Sequence, residues 1–147
     1  MIDLSVCRKG VAVSVHMTLE TDYAVRIVSC LAKAGKRLDA KSISETASVS
    51  LRFSLKILRK LVAGGIVKSY KGTQGGYELA KAPAEISLND IMETVEGPFY
   101  ISRCLEGDYQ CGKHDGNSCV CPFREVYDQI SEDVVKRLKE FTFDRVL

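Results

Sequence analysis

No stretch of this chain approaches the roughly 18 consecutive apolar residues that a membrane-spanning helix requires, which excludes an α-helical membrane protein. The opening MIDLSVCRKGVAVSVH offers only the apolar run VAVSV, shorter than a signal-peptide core, and no cleavage site follows it. The expectation is a cytoplasmic protein. Enzyme signatures are missing too. There is no glycine-rich phosphate loop, no nucleophile with an adjacent base and no defensible pair of catalytic carboxylates, so the chain is not expected to be an enzyme. Internal repeats and low-complexity segments are also absent. A formal charge of +2 names no partner by itself.

What is present is a chain of 147 residues, 46% hydrophobic and 27% charged, the size and mixture of one globular domain or of one small domain with an appendage. Its charge is unevenly placed. From Lys33 to Lys71 the bases Lys33, Lys36, Arg37, Lys41, Arg52, Lys56, Arg59, Lys60, Lys68 and Lys71 meet only Asp39 and Glu45. A basic half on a near-neutral protein is the footprint expected for an anionic polymer.

Periodicity divides the chain. Tyr23, Ile27, Cys30, Leu31 and Ala34 recur at helical spacing from Thr18, and Gly35 ends the helix. Ser42, with Glu45 three residues on, reads as the capping box of a short second helix. Ser50 caps a third, LRFSLKILRKLVAG, whose apolar stripe is Leu51, Leu55, Leu58, Leu61 and Val62. The strands IVKSY and YELA, joined by KGTQGG, form a hairpin, and Ser87 opens another capped helix that Gly97-Pro98 breaks. From Pro122 a long helix runs to about Phe141 with the stripe Val126, Ile130, Val134, Leu138 and Phe141, a candidate surface for a partner helix. The fold class is therefore mainly α with a small β-hairpin wing, a winged helix-turn-helix followed by a long C-terminal helix. The divisions fall at residues 1–16 (an extension), 17–82 (the winged unit), 83–103 (a connecting helix), 104–121 (a cysteine-rich loop) and 122–147 (the long helix and a tail).

Three helices, the last of them basic, followed by a glycine-tipped hairpin are the layout that places a helix in the major groove of double-stranded DNA. Arginine pairs bidentately with guanine and lysine neutralises phosphate. Arg52, Lys56 and Arg59 are the candidate readers, with Ser50, Ser54 and Thr46 as phosphate donors and Lys68, Lys71 and Gln74 on the wing. An isolated basic stripe is more often a solvated helix face. Its position within this pattern favours DNA.

Four of the six cysteines, Cys104, Cys111, Cys119 and Cys121, share one polar, glycine-bearing segment, unlike Cys30 among apolar neighbours or Cys7 in the extension. Thiolates suit iron–sulfur clusters or zinc. Structural zinc sites pair cysteines two to four residues apart, whereas six residues separate Cys104 from Cys111 and seven separate Cys111 from Cys119. The spacing suits a loop around a larger cluster, of the 2Fe-2S or 4Fe-4S type. A cluster-free thiol switch, a zinc site and inert cysteines are the competing readings. His114 is by itself more often a solvated loop residue than a ligand.

The segments MTLETDYAVRI (17–27), VSLRFSLKILRKLVAGGIV (49–67) and KGTQGGYELA (71–80), with the cysteine loop leading into a long helix, resemble the Rrf2-type family of bacterial winged-helix regulators, which includes the IscR-like and NsrR-like sensors. The resemblance runs from Met17 to the C-terminus. It implies a homodimer built on the long helix and an iron–sulfur cluster held by three cysteines of each loop. Cys104 and Cys111 match the first two; Cys121 matches the third through the run CPFREVY, with Cys119 as the alternative. The histidine that completes the set in IscR-like members is replaced here by Arg124. Asp22 stands where NsrR-like members place an aspartate that ligates the partner subunit's cluster, and His114 and Cys119 compete for that role. The implied function is a DNA-binding transcriptional regulator, most simply a repressor, governed by a cluster or by cysteine redox state. The alternatives from other classes are a small iron–sulfur redox protein and a zinc-stabilised winged-helix adaptor.

Overall fold

The computed structural model describes residues 17–107, 109 and 121–147. The extension, and with it Cys7, lies outside the described residues, as do Cys111, His114 and Cys119.

Helix α1 (Leu19–Ala34) begins where the Thr18 side chain accepts the Thr21 N–H and ends at Gly35, which takes the left-handed conformation with φ 59°. Helix α2 (Ala40–Ala47) starts earlier than the Ser42 capping box suggests. Asp39 is the cap. One carboxylate oxygen accepts the Lys41 and Ser42 N–H groups, each at 3.0 Å, and the other accepts the Ser42 hydroxyl at 2.6 Å. An ionised cap at the positive end of a helix outcompetes a neutral serine one turn later.

The turn into α3 (Leu51–Ala63) is held by Ser48, whose φ of 54° is unusual for a residue with a side chain. The Val49 carbonyl accepts both the Ser44 hydroxyl at 2.7 Å and the Ser54 hydroxyl at 3.4 Å, which fixes α2 against α3. Ser50 caps α3 by accepting the Phe53 N–H. Strands β1 (Val67–Tyr70) and β2 (Gly76–Leu79) pair antiparallel in the register Val67 to Leu79 and Tyr70 to Gly76. Leu38 joins the hairpin as a third edge: Leu38 and Tyr77 exchange backbone hydrogen bonds of 3.0 and 2.8 Å. Gly76, at φ 147°, faces the Leu38 carbonyl so closely that an added Cβ would sit 2.5 Å from that oxygen.

Helix α4 (Leu88–Glu96) carries the expected capping box of Ser87 and Asp90. Helix α5 (Pro122–Glu140) is followed by a single turn, α6 (Phe143–Val146). The chain returns there to the winged unit: the Phe143 N–H bonds the Ile86 carbonyl at 3.0 Å, the Leu88 N–H bonds the Phe141 carbonyl at 3.0 Å, and Ser87 bridges Thr142. One hydrophobic core therefore runs from Ala24, Ile27 and Leu31 of α1 through Ile43, Ile57, Leu58 and Leu61 to Ile86, Ile91, Val95 and Phe143. The core crosses the division expected at residue 82.

In α3 the buried residues are Ser54, Ile57, Leu58 and Leu61, while Leu51 is exposed and Leu55 half-buried. Leu58 and Leu61 are common to both sets, and the core face is turned by roughly 60° around the axis from the expected stripe. On α5 only Ser131 is buried; Phe123, Val126, Ile130 and Phe141 are exposed in the single copy. Among the described residues no helix is long and apolar enough to cross a membrane.

Candidate nucleic-acid interface

The rotation of α3 decides which side chains reach outward. Arg52, Lys56 and Arg59 lie exposed on one face, beside the exposed Leu51 and Phe53. Ser50 is exposed at the cap. Ser54 is fully buried with its hydroxyl on the Val49 carbonyl, so it is a core residue and has no route to a phosphate. Phe53 meets the ring of Tyr23 edge-on at 5.9 Å, packing α3 against the first turns of α1.

Two of the four cations of α3 are engaged. Glu20, in the first turn of α1, accepts from the ammonium groups of both Lys56 and Lys60, and Lys60 also donates to the Val95 carbonyl at 3.0 Å. The two lysines lower the Glu20 carboxyl to about 2, mainly through the hydrogen bond from Lys56. The same turn of α1 is pinned to α4 through Thr18 and Thr21, whose hydroxyls both donate to Glu96.

The wing is stiffened from α1's far end. Arg37 lies 3.4 Å over the Tyr70 ring, donates to the Gln74 carbonyl at 3.3 Å and pairs with Glu78 at 3.5 Å. Lys68, Lys71 and Gln74 are exposed along the hairpin. Arg37 and Leu38 escape a reading by periodicity because each is a single residue meeting the hairpin from a distance.

Of the expected metal ligands, Cys104 and Cys121 are free, half-buried thiols at the two ends of the loop. The Ser102 hydroxyl lies 3.2 Å from the Cys104 sulfur. Asp22 sits half-exposed on α1 and pairs with Arg26 at 2.8 Å, so its ligation of a metal would exchange one cationic partner for another. Uncommitted thiols are donors of the kind a cluster or zinc takes. Among the described residues no three ligand-type side chains converge.

A family model described as an iron-dependent transcriptional regulator, Rrf2, matches residues 17–147. The chain belongs to the Rrf2 family of transcriptional regulators. It is 33% identical to protein aau3 of Rhizobium meliloti over 87% of this chain and 90% of that one. It is 28% identical to the transcriptional regulator NsrR of Bacillus subtilis over 84% of this chain and 97% of that one. Among solved structures, CymR, the global cysteine regulator of B. subtilis, superposes with a TM-score of 0.69 at 27% identity, covering 90% of this chain and 96% of its own. IscR of T. potens shares the fold, with a TM-score of 0.67 at 23% identity over 89% of this chain and 85% of its own. These winged-helix neighbours establish the fold class of this Rrf2 protein.

Proposed function

We propose that this Rrf2 regulator binds double-stranded DNA as a homodimer and that a cofactor or redox event at residues 104–121 sets its operator affinity. The observation that carries the DNA reading is the outward row Arg52, Lys56 and Arg59 on a helix whose opposite face is locked into the core. Arg52 lies in the first turn, where a groove-reading helix meets base edges, and Lys56, Arg59, Lys71, Gln74 and the Ser50 cap supply phosphate contacts. The uncovered apolar side chains of α5, Phe123, Val126 and Ile130, support pairing with the same helix of a second copy.

For the sensing site the proposed ligands are Cys104, Cys111 and Cys121 of one subunit with Asp22 of the other, Cys119 being the alternative. A bound iron–sulfur cluster would supply a group that oxidants or nitric oxide destroy. The chain's part is to hold it between α5 and the winged unit, so that its loss changes the spacing of the two reading helices. The similarity to CymR, a regulator named for cysteine, keeps a cluster-free thiol switch as the second reading.

Anaerobic purification followed by visible absorption tests this. A broad sulfur-to-iron band is expected, bleached by single exchange of Cys104, Cys111 or Cys121 and retained in Cys119→Ala. Asp22→Ala should destabilise the band without abolishing the fold. A colourless protein that releases zinc would replace the cluster with a zinc site, and a colourless, metal-free protein whose DNA affinity responds to oxidant would install the thiol switch.

A further inference from the structure

We infer that Glu20 is an internal stand-in for DNA phosphate, holding Lys56 of the reading helix in the free protein and thereby lowering the sequence-independent part of its DNA affinity. The inference rests on the reading of α3 as the DNA-contacting helix.

Lys56 is the middle member of the outward cationic row, 53% exposed, and among the described residues its one side-chain partner is Glu20. Glu20 does not reach it from a mobile loop. It projects from the first turn of α1, which Glu96 anchors through Thr18 and Thr21 and which Phe53 and Tyr23 pack against α3. The carboxylate therefore stands at a fixed place beside the cationic row. Lys60 shares it, but Lys60 also donates to the Val95 carbonyl and keeps that bond if Glu20 is removed. Lys56 has no such second anchor among the described residues. A phosphate that recruits Lys56 must thus displace a carboxylate, whatever the base sequence above it. The cost is uniform across sequences, because it falls on a phosphate contact and leaves Arg52 untouched.

Binding of the full-length protein, prepared anaerobically, to a labelled random-sequence duplex over a salt series provides the test. Glu20→Gln should bind about two- to five-fold more tightly at low salt, the worth of one exposed ion pair. Its plot of log affinity against log salt should steepen, by at most about 0.9, the slope of one full phosphate contact. Glu20→Asp, which keeps the charge at the helix start and shortens its reach, should tighten binding in the same direction and guards against a folding defect in the first variant. In the Lys56→Ala background Glu20→Gln should have no effect. Unchanged or weakened binding by both Glu20 variants, or a gain that persists without Lys56, would overturn the inference. If alanine at Arg52, Lys56 and Arg59 together leaves binding to the duplex unaltered, the assignment of α3 itself fails, and that outcome is distinct from Glu20 having no influence while the triple variant loses affinity.

Discussion

Arg52 and Ser54 stand two residues apart on α3 and end on opposite sides of it. Arg52 faces solvent in the first turn; Ser54 is sealed beneath it against Val49. Both were plausible DNA contacts by residue type, and only the rotation of the helix separates them. Arg52→Ala is expected to cost about 1–3 kcal/mol of specific binding and to relax preference at one operator position, as measured by selection from a random library and titration of the selected site. Ser54→Ala should leave DNA contacts intact. The rotation was hard to read because apolar residues cover more than half of the circumference of α3: Leu51, Phe53, Leu55, Ile57, Leu58, Leu61 and Val62 admit more than one stripe. The chain-order signals were unambiguous by comparison, and Thr18, Gly35, Ser50 and Ser87 stand at the helix ends that their chemistry implies.

At the scale of elements, the helix-turn-helix is held by polar groups as well as by its core. Asp39 closes the N-terminus of α2 with three hydrogen bonds that hold its carboxyl below the usual carboxylate range, the Ser42 hydroxyl contributing most. A carboxyl lowered in the folded state stabilises the fold above its unfolded pKa and loses that contribution as pH falls through the folded value. Asp39→Asn should therefore melt lower than wild type at neutral pH, and the gap should narrow as the solution is acidified below the ordinary aspartate range. A gap independent of pH would mean that the charge contributes nothing. Ser42, whose spacing to Glu45 suggests the cap, lies inside the helix that Asp39 caps. The wing was readable from its glycines, whereas its bond to Leu38 was not, because a lone residue forming a bridge leaves no local pattern.

At the scale of the molecule, residues that looked like a tail complete the core. Phe143 is 3% exposed and packs in the cluster shared by α1, α3 and α4. Phe143→Ala should destabilise the protein by about 3–5 kcal/mol in denaturant unfolding, a loss suited to a core aromatic and far above that of a frayed terminus. Its isolation after a long exposed helix hides it from any windowed pattern. The cysteine loop was recognisable by composition alone, while the proposed ligand set, with Asp22 of a second copy, rests on the family resemblance because no local pattern marks it.

The return of the chain to Ser87 has a mechanical consequence. Helix α5 is tethered near its middle, where the Ser131 hydroxyl accepts the Ile101 N–H at 3.1 Å, and again just beyond its end, where Thr142 bridges Ser87. Two attachments, one near the middle and one beyond the end, restrict how far the helix can swivel against its base. Under the proposed function, a tilt imposed near Cys121 would be passed to the winged unit through these two attachments as well as through the chain.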